Sequence, residues 1–259
     1  MKNSFIQLHI AIFLASCSGI LGKLIQLNEV FITWYRMIFA ALAMIVIMLI
    51  NKKKIVCNKG TLKIAAAGFL LGLHWIFFYG SIIYANVSVG VVCFCLSGFF
   101  TALLGPLIRK TRLSVVELLL STITIAGILL IFHFDSSFRT GIILGVISSL
   151  LFALFTVINE GINKVTNAVE TTTYEMLSGA IGIGILLPLY LYFFPTEYII
   201  PIPDDLIYLL ILSLVCTVGM FLLLNRAQRT ISAFTVSLSF NLEPIYAIVL
   251  AIIIFNEDK

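Results

Sequence analysis

The stretch NRAQRTISAFTVSLSFNLEPIYAIVLAIIIFNEDK, Asn225 to Lys259, decides the fold. A short basic segment leads into an apolar run of helical length, interrupted once by an acid followed by a proline, Glu243-Pro244. Beyond the run the chain turns acidic. Much the same grammar occurs earlier, in YANVSVGVVCFCLSGFFTALLGPLIRKTR from Tyr84 to Arg112. With Ser88 set on Ser232, Val-Ser-Val meets Ile-Ser-Ala, and with one residue of slip Ala102 meets Ala247. An apolar chain that repeats itself about half its length apart points to an internally duplicated membrane protein.

Composition agrees. Hydrophobic residues make up 61% of the chain and charged residues 11%, against about half and about a quarter in soluble domains. A water-soluble fold has nowhere to hide so much apolar surface, so the bilayer is the solvent. Five cysteines (Cys17, Cys57, Cys93, Cys95, Cys216) lie mostly in apolar runs without metal-ligand spacing, and read as small buried hydrophobes. The net charge of +4 is no nucleic-acid footprint, because the charges sort by loop.

A spanning helix needs about 20 mainly apolar residues. That rule predicts helices over Ile6–Gly22, Phe31–Ile50, Leu62–Tyr84, Ser88–Ile108 and Ser114–Phe132. After a polar break come Gly141–Ile158, Thr173–Phe194, Leu206–Leu224 and Ser232–Phe255, nine spans in all. Leu14-Ala15-Ser16-Cys17 imitates a lipoprotein cleavage box, but a secretory signal is not normally followed by eight more membrane segments.

With the N-terminus inside, the cytoplasmic segments hold Lys2, Lys52, Lys53, Lys54, Lys59, Lys63, Arg109, Lys110, Arg112, Lys164, Arg226 and Arg229. The other side holds only Lys23, Arg139 and Lys259, together with Asp135, Glu197, Asp204 and Asp205. The positive-inside rule therefore places the N-terminus of this multi-pass membrane protein in the cytoplasm.

The break near Asp135–Thr140 divides the chain into 1–135, with five helices, and 136–259, with four. Trp34-Tyr35-Arg36-Met37 in the second helix has a counterpart in Thr173-Tyr174-Glu175-Met176 in the seventh. Because five is odd, the second copy enters the membrane upside down, as an inverted repeat. A second set of five needs a tenth helix, and FNEDK reads as a loop awaiting it. The expected class is thus all-α, a polytopic bundle of inverted five-helix repeats with nine helices seen.

GLHWIFFYGSIIYANVSVGVV at Gly72–Val92 resembles the third-to-fourth-helix segment of the drug/metabolite transporter superfamily, EamA type. LNRAQRTISAFTVSLSFNLEPIYAIVLAIIIFNE resembles that family's eighth-to-ninth-helix segment with its Glu-Pro, and Arg36 stands where the second helix commonly carries an arginine. The departures are a mid-helix proline missing near Gly98–Phe99 and Arg109-Lys110-Thr111 in place of an acid. The resemblance implies an exporter of amino acids or related metabolites that works by rocking of the two halves.

Glu243 lies about 16 Å along its helix, near the bilayer centre. There a charged carboxyl facing lipid costs at least about 2.5–3.5 kcal/mol, so it faces a cavity or a partner, or stays protonated. Asn241, Glu243 and a Phe240 carbonyl freed by Pro244 form an acceptor-rich patch suited to a proton or an amine. The plainer alternative is a protonated Glu243 that serves as packing glue. Arg36 is expected near the outer mouth, binding a carboxylate or snorkelling to headgroups, with Tyr174 and Glu175 near the inner entrance. His74, Trp75 and Tyr79 share a face of the third helix, an aromatic wall with an imidazole or simply helix packing. Asn159 and Asn225 read as caps, and Gly179, Gly182 and Gly184 as close-packing residues.

No nucleotide-binding loop or catalytic set stands out, so an enzyme is not expected and no cofactor is implied. The partners implied are a small-molecule substrate, the lipid bilayer and a coupling proton. Competing readings are an exporter of drug-like or cationic lipophilic compounds, a lipid-modifying membrane enzyme, and an inactive truncated copy.

Overall fold

A computed structural model of the chain describes residues 2–52, 59–131 and 136–255. The expectations that rest on Lys53, Lys54, Cys57, Asp135 and the FNEDK end beyond Phe255 fall outside the described residues. Everything regular in the described residues is helical: α1 (Lys2–Leu24), α2 (Glu29–Ile50), α3 (Lys59–Tyr84), α4 (Val87–Phe94), α5 (Ser97–Arg109) and α6 (Val115–Ile131). Then come α7 (Arg139–Asn163), α8 (Ala168–Phe193), α9 (Pro203–Ser213), α10 (Met220–Ala227), α11 (Ala233–Ser239) and α12 (Glu243–Phe255). Three pairs are broken single spans, α4–α5, α9–α10 and α11–α12, so the described chain makes nine transmembrane-like rods. Seven of these are long and apolar enough to cross a membrane.

Glu29, Ala168 and Pro203 open their helices two to five residues upstream of the apolar runs, because caps or a proline begin the helix within polar sequence. Asn28 accepts the Phe31 N–H at 3.0 Å, Asn86 that of Val89 at 2.8 Å, and Asn167 that of Glu170 at 3.0 Å. Ser232 accepts the Thr235 N–H at 3.2 Å, and Pro203 opens α9 with its fixed φ. Asn86 and Ser232 therefore open corresponding spans, and each span breaks a few residues further on. The first resumes at Ser97 after a turn at Cys95–Leu96, the second at Glu243 after a 3-10 turn over Phe240–Leu242. The expectation of two continuous helices there is corrected. So is the freed Phe240 carbonyl: the Glu243 N–H bonds to it within the 3-10 turn.

Burial is inverted relative to a soluble protein. Leu49, Ile50, Leu62, Leu107, Val115 and Ile185 are largely exposed, whereas Arg36, Glu175, Glu243, Asn159, Asn225 and Gln228 are buried. Only a surface facing hydrocarbon rewards that arrangement. At the centre, α3 packs on α7 and α8, and α2 runs antiparallel to α8, with Glu29 against Tyr190, Trp34 against Ala180 and Met37 against Gly179. A Cβ on Gly179 would sit 2.0 Å from Met37 Cε, and one on Gly182 2.4 Å from Phe69 Cδ2, so small residues let these helices approach closely.

Candidate functional site

Midway along the rods is a cavity of about 30 Å³, roughly one water in size. It is lined by residues of α1, α2, α3, α4, α7 and α10 and by the α11–α12 break. Arg36, His74, Trp75 and Glu243 bring its chemistry, and Phe78, Phe94, Phe152, Phe221 and Phe240 its apolar wall. The cavity is far smaller than the several hundred Å³ typical of ligand sites.

Arg36 is only 1% exposed, which corrects its expected place at an outer mouth. Its Nε donates to Thr217 Oγ1 at 2.6 Å, and Nη1 to Ser18 Oγ at 3.0 Å and Tyr79 Oη at 2.8 Å. Nη2 donates to the Cys216 carbonyl at 3.2 Å. A guanidinium has five N–H donors, so one Nη2–H is left without a partner among the described residues. Trp75 stacks beneath, with the guanidinium carbon 3.7 Å from the ring centroid, a cation–π contact. The α9–α10 span supplies the Cys216 carbonyl and Thr217 because Leu214–Gly219 is π-helical, a local widening frequent at functional sites.

No carboxylate pairs with Arg36 among the described residues. Glu243, at the first turn of α12, is buried at 3% exposure, and its Oε2 has no hydrogen bond. The cavity is thus bordered by a cation and an acid that do not neutralise each other at contact distance. His74 Nδ1 lies 3.0 Å from the Ser148 carbonyl and 2.8 Å from the Ser148 hydroxyl, so Ser148 anchors this edge of the imidazole. Phe94 and Phe152 hold the imidazole ring at 5.3 and 5.1 Å.

The other expected site residues separate from this group. Tyr79 does not line the cavity; its hydroxyl fixes Arg36 and Ser18. Asn241 is half-buried with Oδ1 unbonded, also off the cavity lining. Tyr174 is packed in the apolar core. Glu175 lines no entrance: it is 0% exposed and accepts from Asn225 Nδ2 at 3.0 Å. Asn159 and Asn225, expected as caps, are instead the centre of a buried polar network. Asn159 and Asn163 each donate to both Asn225 Oδ1 and Gln228 Oε1, at 2.7–3.2 Å, and Asn225 also donates to Thr172. The network clamps α7, α8 and α10 together at the end of the bundle where the basic residues gather. Nearby, the Glu160 carboxylate pairs with Arg109 and Lys164 and caps α11 through the Ala233 N–H.

Ser18, Ser148 and Thr217 were missed by sequence reasoning. Each is a lone hydroxyl in an apolar run, which is a weak signal, since hydroxyls also bond their own helix. Among the described residues no group of three His, Cys, Asp or Glu could hold a metal.

The chain matches the EamA-like transporter family over residues 4–133 and again over 139–258. It is 27% identical over 137 residues to the uncharacterized transporter YxxF of Bacillus subtilis (strain 168), a stretch covering 51% of this chain. The match spans 43% of that relative's length. A solved crystal structure superposes with a TM-score of 0.75 at 11% identity, over all of this chain and 90% of the other, which shows a shared fold. The two matched stretches together take in nearly the whole sequence, and the chain belongs to the EamA-like transporter family.

Proposed function

We propose that the chain is a secondary transporter that exports a small zwitterionic metabolite, an α-amino acid being the best fit, across the inner membrane by alternating access. The observation that carries this is that Arg36 and Glu243 border one cavity with no ion pair between them. The spare Nη2–H of Arg36 suits a carboxylate and the unbonded Oε2 of Glu243 suits an ammonium group. Binding such a ligand replaces two unpaired buried groups with two charge-assisted hydrogen bonds. Trp75, His74 and the phenylalanines leave room for an apolar side chain once the cavity widens. Glu243 also serves as the proton carrier when the substrate leaves.

Two matches to one family model, over 4–133 and 139–258, support an inverted duplication of halves 1–135 and 136–259. The matching broken spans, opened by Asn86 and Ser232, support it too. The concentration of basic residues at one end of the rods supports a cytoplasmic N-terminus. The aromatic wall favours a second reading, export of a lipophilic cation.

The test is counterflow of labelled amino acids into proteoliposomes, with and without a pH gradient. Uptake above empty liposomes that is lost in Glu243→Ala supports the reading, and in Glu243→Gln the response to the gradient disappears. Unchanged rate and unchanged pH response in Glu243→Gln would refute coupling through this carboxyl. Uptake of lipophilic cations but not amino acids would select the second reading.

A further inference from the structure

At the basic end of the bundle, α3 and α5 both pack against α7 and leave a cleft of about 780 Å³ with α7 as its floor. Its walls are apolar, built from Ile64, Ile108, Val157 and Ile162. At Gly161 a Cβ would meet nothing within 4 Å, so the floor is open rather than tightly packed. The rim is cationic: Lys63, Arg109 and Lys164 border the cleft, with Glu160 the one acid among its described lining residues. Glu160 is committed to Arg109 and Lys164 and offsets one of the three charges.

An apolar trough under a net positive rim matches one kind of molecule at this depth. We propose that the cleft holds one anionic phospholipid of the adjoining leaflet, its acyl chains on the α7 floor and its phosphate between Lys63 and Arg109. Free phosphate would leave the apolar floor uncovered, and a neutral lipid would leave the rim charge uncompensated. Basic pockets between membrane helices suit such headgroups, and each nearby cation adds affinity. The site lies apart from the Arg36–Glu243 cavity and rests on the proposed topology only for the name of the leaflet.

The test is native mass spectrometry of the full chain released from nanodiscs of equal phosphatidylglycerol and phosphatidylcholine with identical acyl chains. The expected result is one phosphatidylglycerol retained in preference to phosphatidylcholine. Lys63→Gln should lower that preference roughly fivefold. Gly161→Leu should lower retention of both lipids by filling the floor, and Ala66→Phe should do the same from the α3 wall. Equal retention of the two lipids by the unaltered protein would overturn the proposal. So would a preference unmoved by Lys63→Gln, or retention unmoved by both filling variants with melting curves intact. No step measures transport, so failure here leaves the transport reading standing.

Discussion

Replacing Asn225 by alanine should be among the most damaging polar changes in the chain. Asn225 makes four buried hydrogen bonds, two accepted from Asn159 and Asn163 and two donated to Thr172 and Glu175. Side-chain hydrogen bonds between membrane helices average about 0.6 kcal/mol, so their loss costs about 2–3 kcal/mol. Asn159 and Asn163 keep Gln228 as a partner, but Glu175 Oε2 loses its donor while Oε1 is already unbonded. An orphaned buried acceptor adds about 1–3 kcal/mol, for a total of about 3–6 kcal/mol. The acid accounts for the second part, so combining Asn225→Ala with Glu175→Leu should cost about 1–3 kcal/mol less than the sum of the singles. The measurement is a double-mutant cycle by denaturing-detergent titration in mixed micelles. Additivity within about 0.5 kcal/mol would refute the claim that Asn225 holds Glu175, and with it the view of this network as one clamp.

Arg36→Lys keeps the charge but loses the planar fork that reaches Thr217, Ser18, Tyr79 and the Cys216 carbonyl at once. Counterflow should fall at least about tenfold, the equivalent of one lost charge-assisted bond, and an unchanged rate would remove Arg36 from the site. Three glycine-to-alanine changes should rank by what the new Cβ meets. Gly68→Ala runs into the Glu175 backbone at 2.3 Å and should cost about 1–3 kcal/mol, Gly182→Ala meets a movable Phe69 ring and should cost less. Gly161→Ala, in open space within a helix, should add about 0.5–1 kcal/mol. Thermal unfolding of the three in one detergent checks the order, and any other ranking contradicts the packing.

The membrane class, the approximate spans, the charge asymmetry and the family resemblance were all legible in the residues. Each depends on a local sum: apolar run length, loop charge, or a short motif such as Glu243-Pro244. Helix starts were misplaced at Glu29 and Ala168 because caps extend a helix through polar residues that hydropathy counts as loop. Of the expected site residues, Arg36, His74, Trp75 and Glu243 meet at one cavity, while Asn241, Tyr79, Tyr174 and Glu175 do not line it. The reach of a side chain from its helix decides this, and no periodicity states it. Rise per residue put Arg36 toward one mouth, but its long side chain extends inward to hydroxyls on α1 and α3 and in the π-helical segment. Asn159 and Asn225 read as helix caps, because the partners that Asn159 bonds lie 66 and 69 positions away in the chain. The sequence by itself determined that this protein lives in a bilayer and which residues are too polar to face lipid. Which of those polar groups satisfy one another, and which are left to meet a ligand, was decided only when the helices packed, since hydrogen bonding in hydrocarbon is a matter of contact in space.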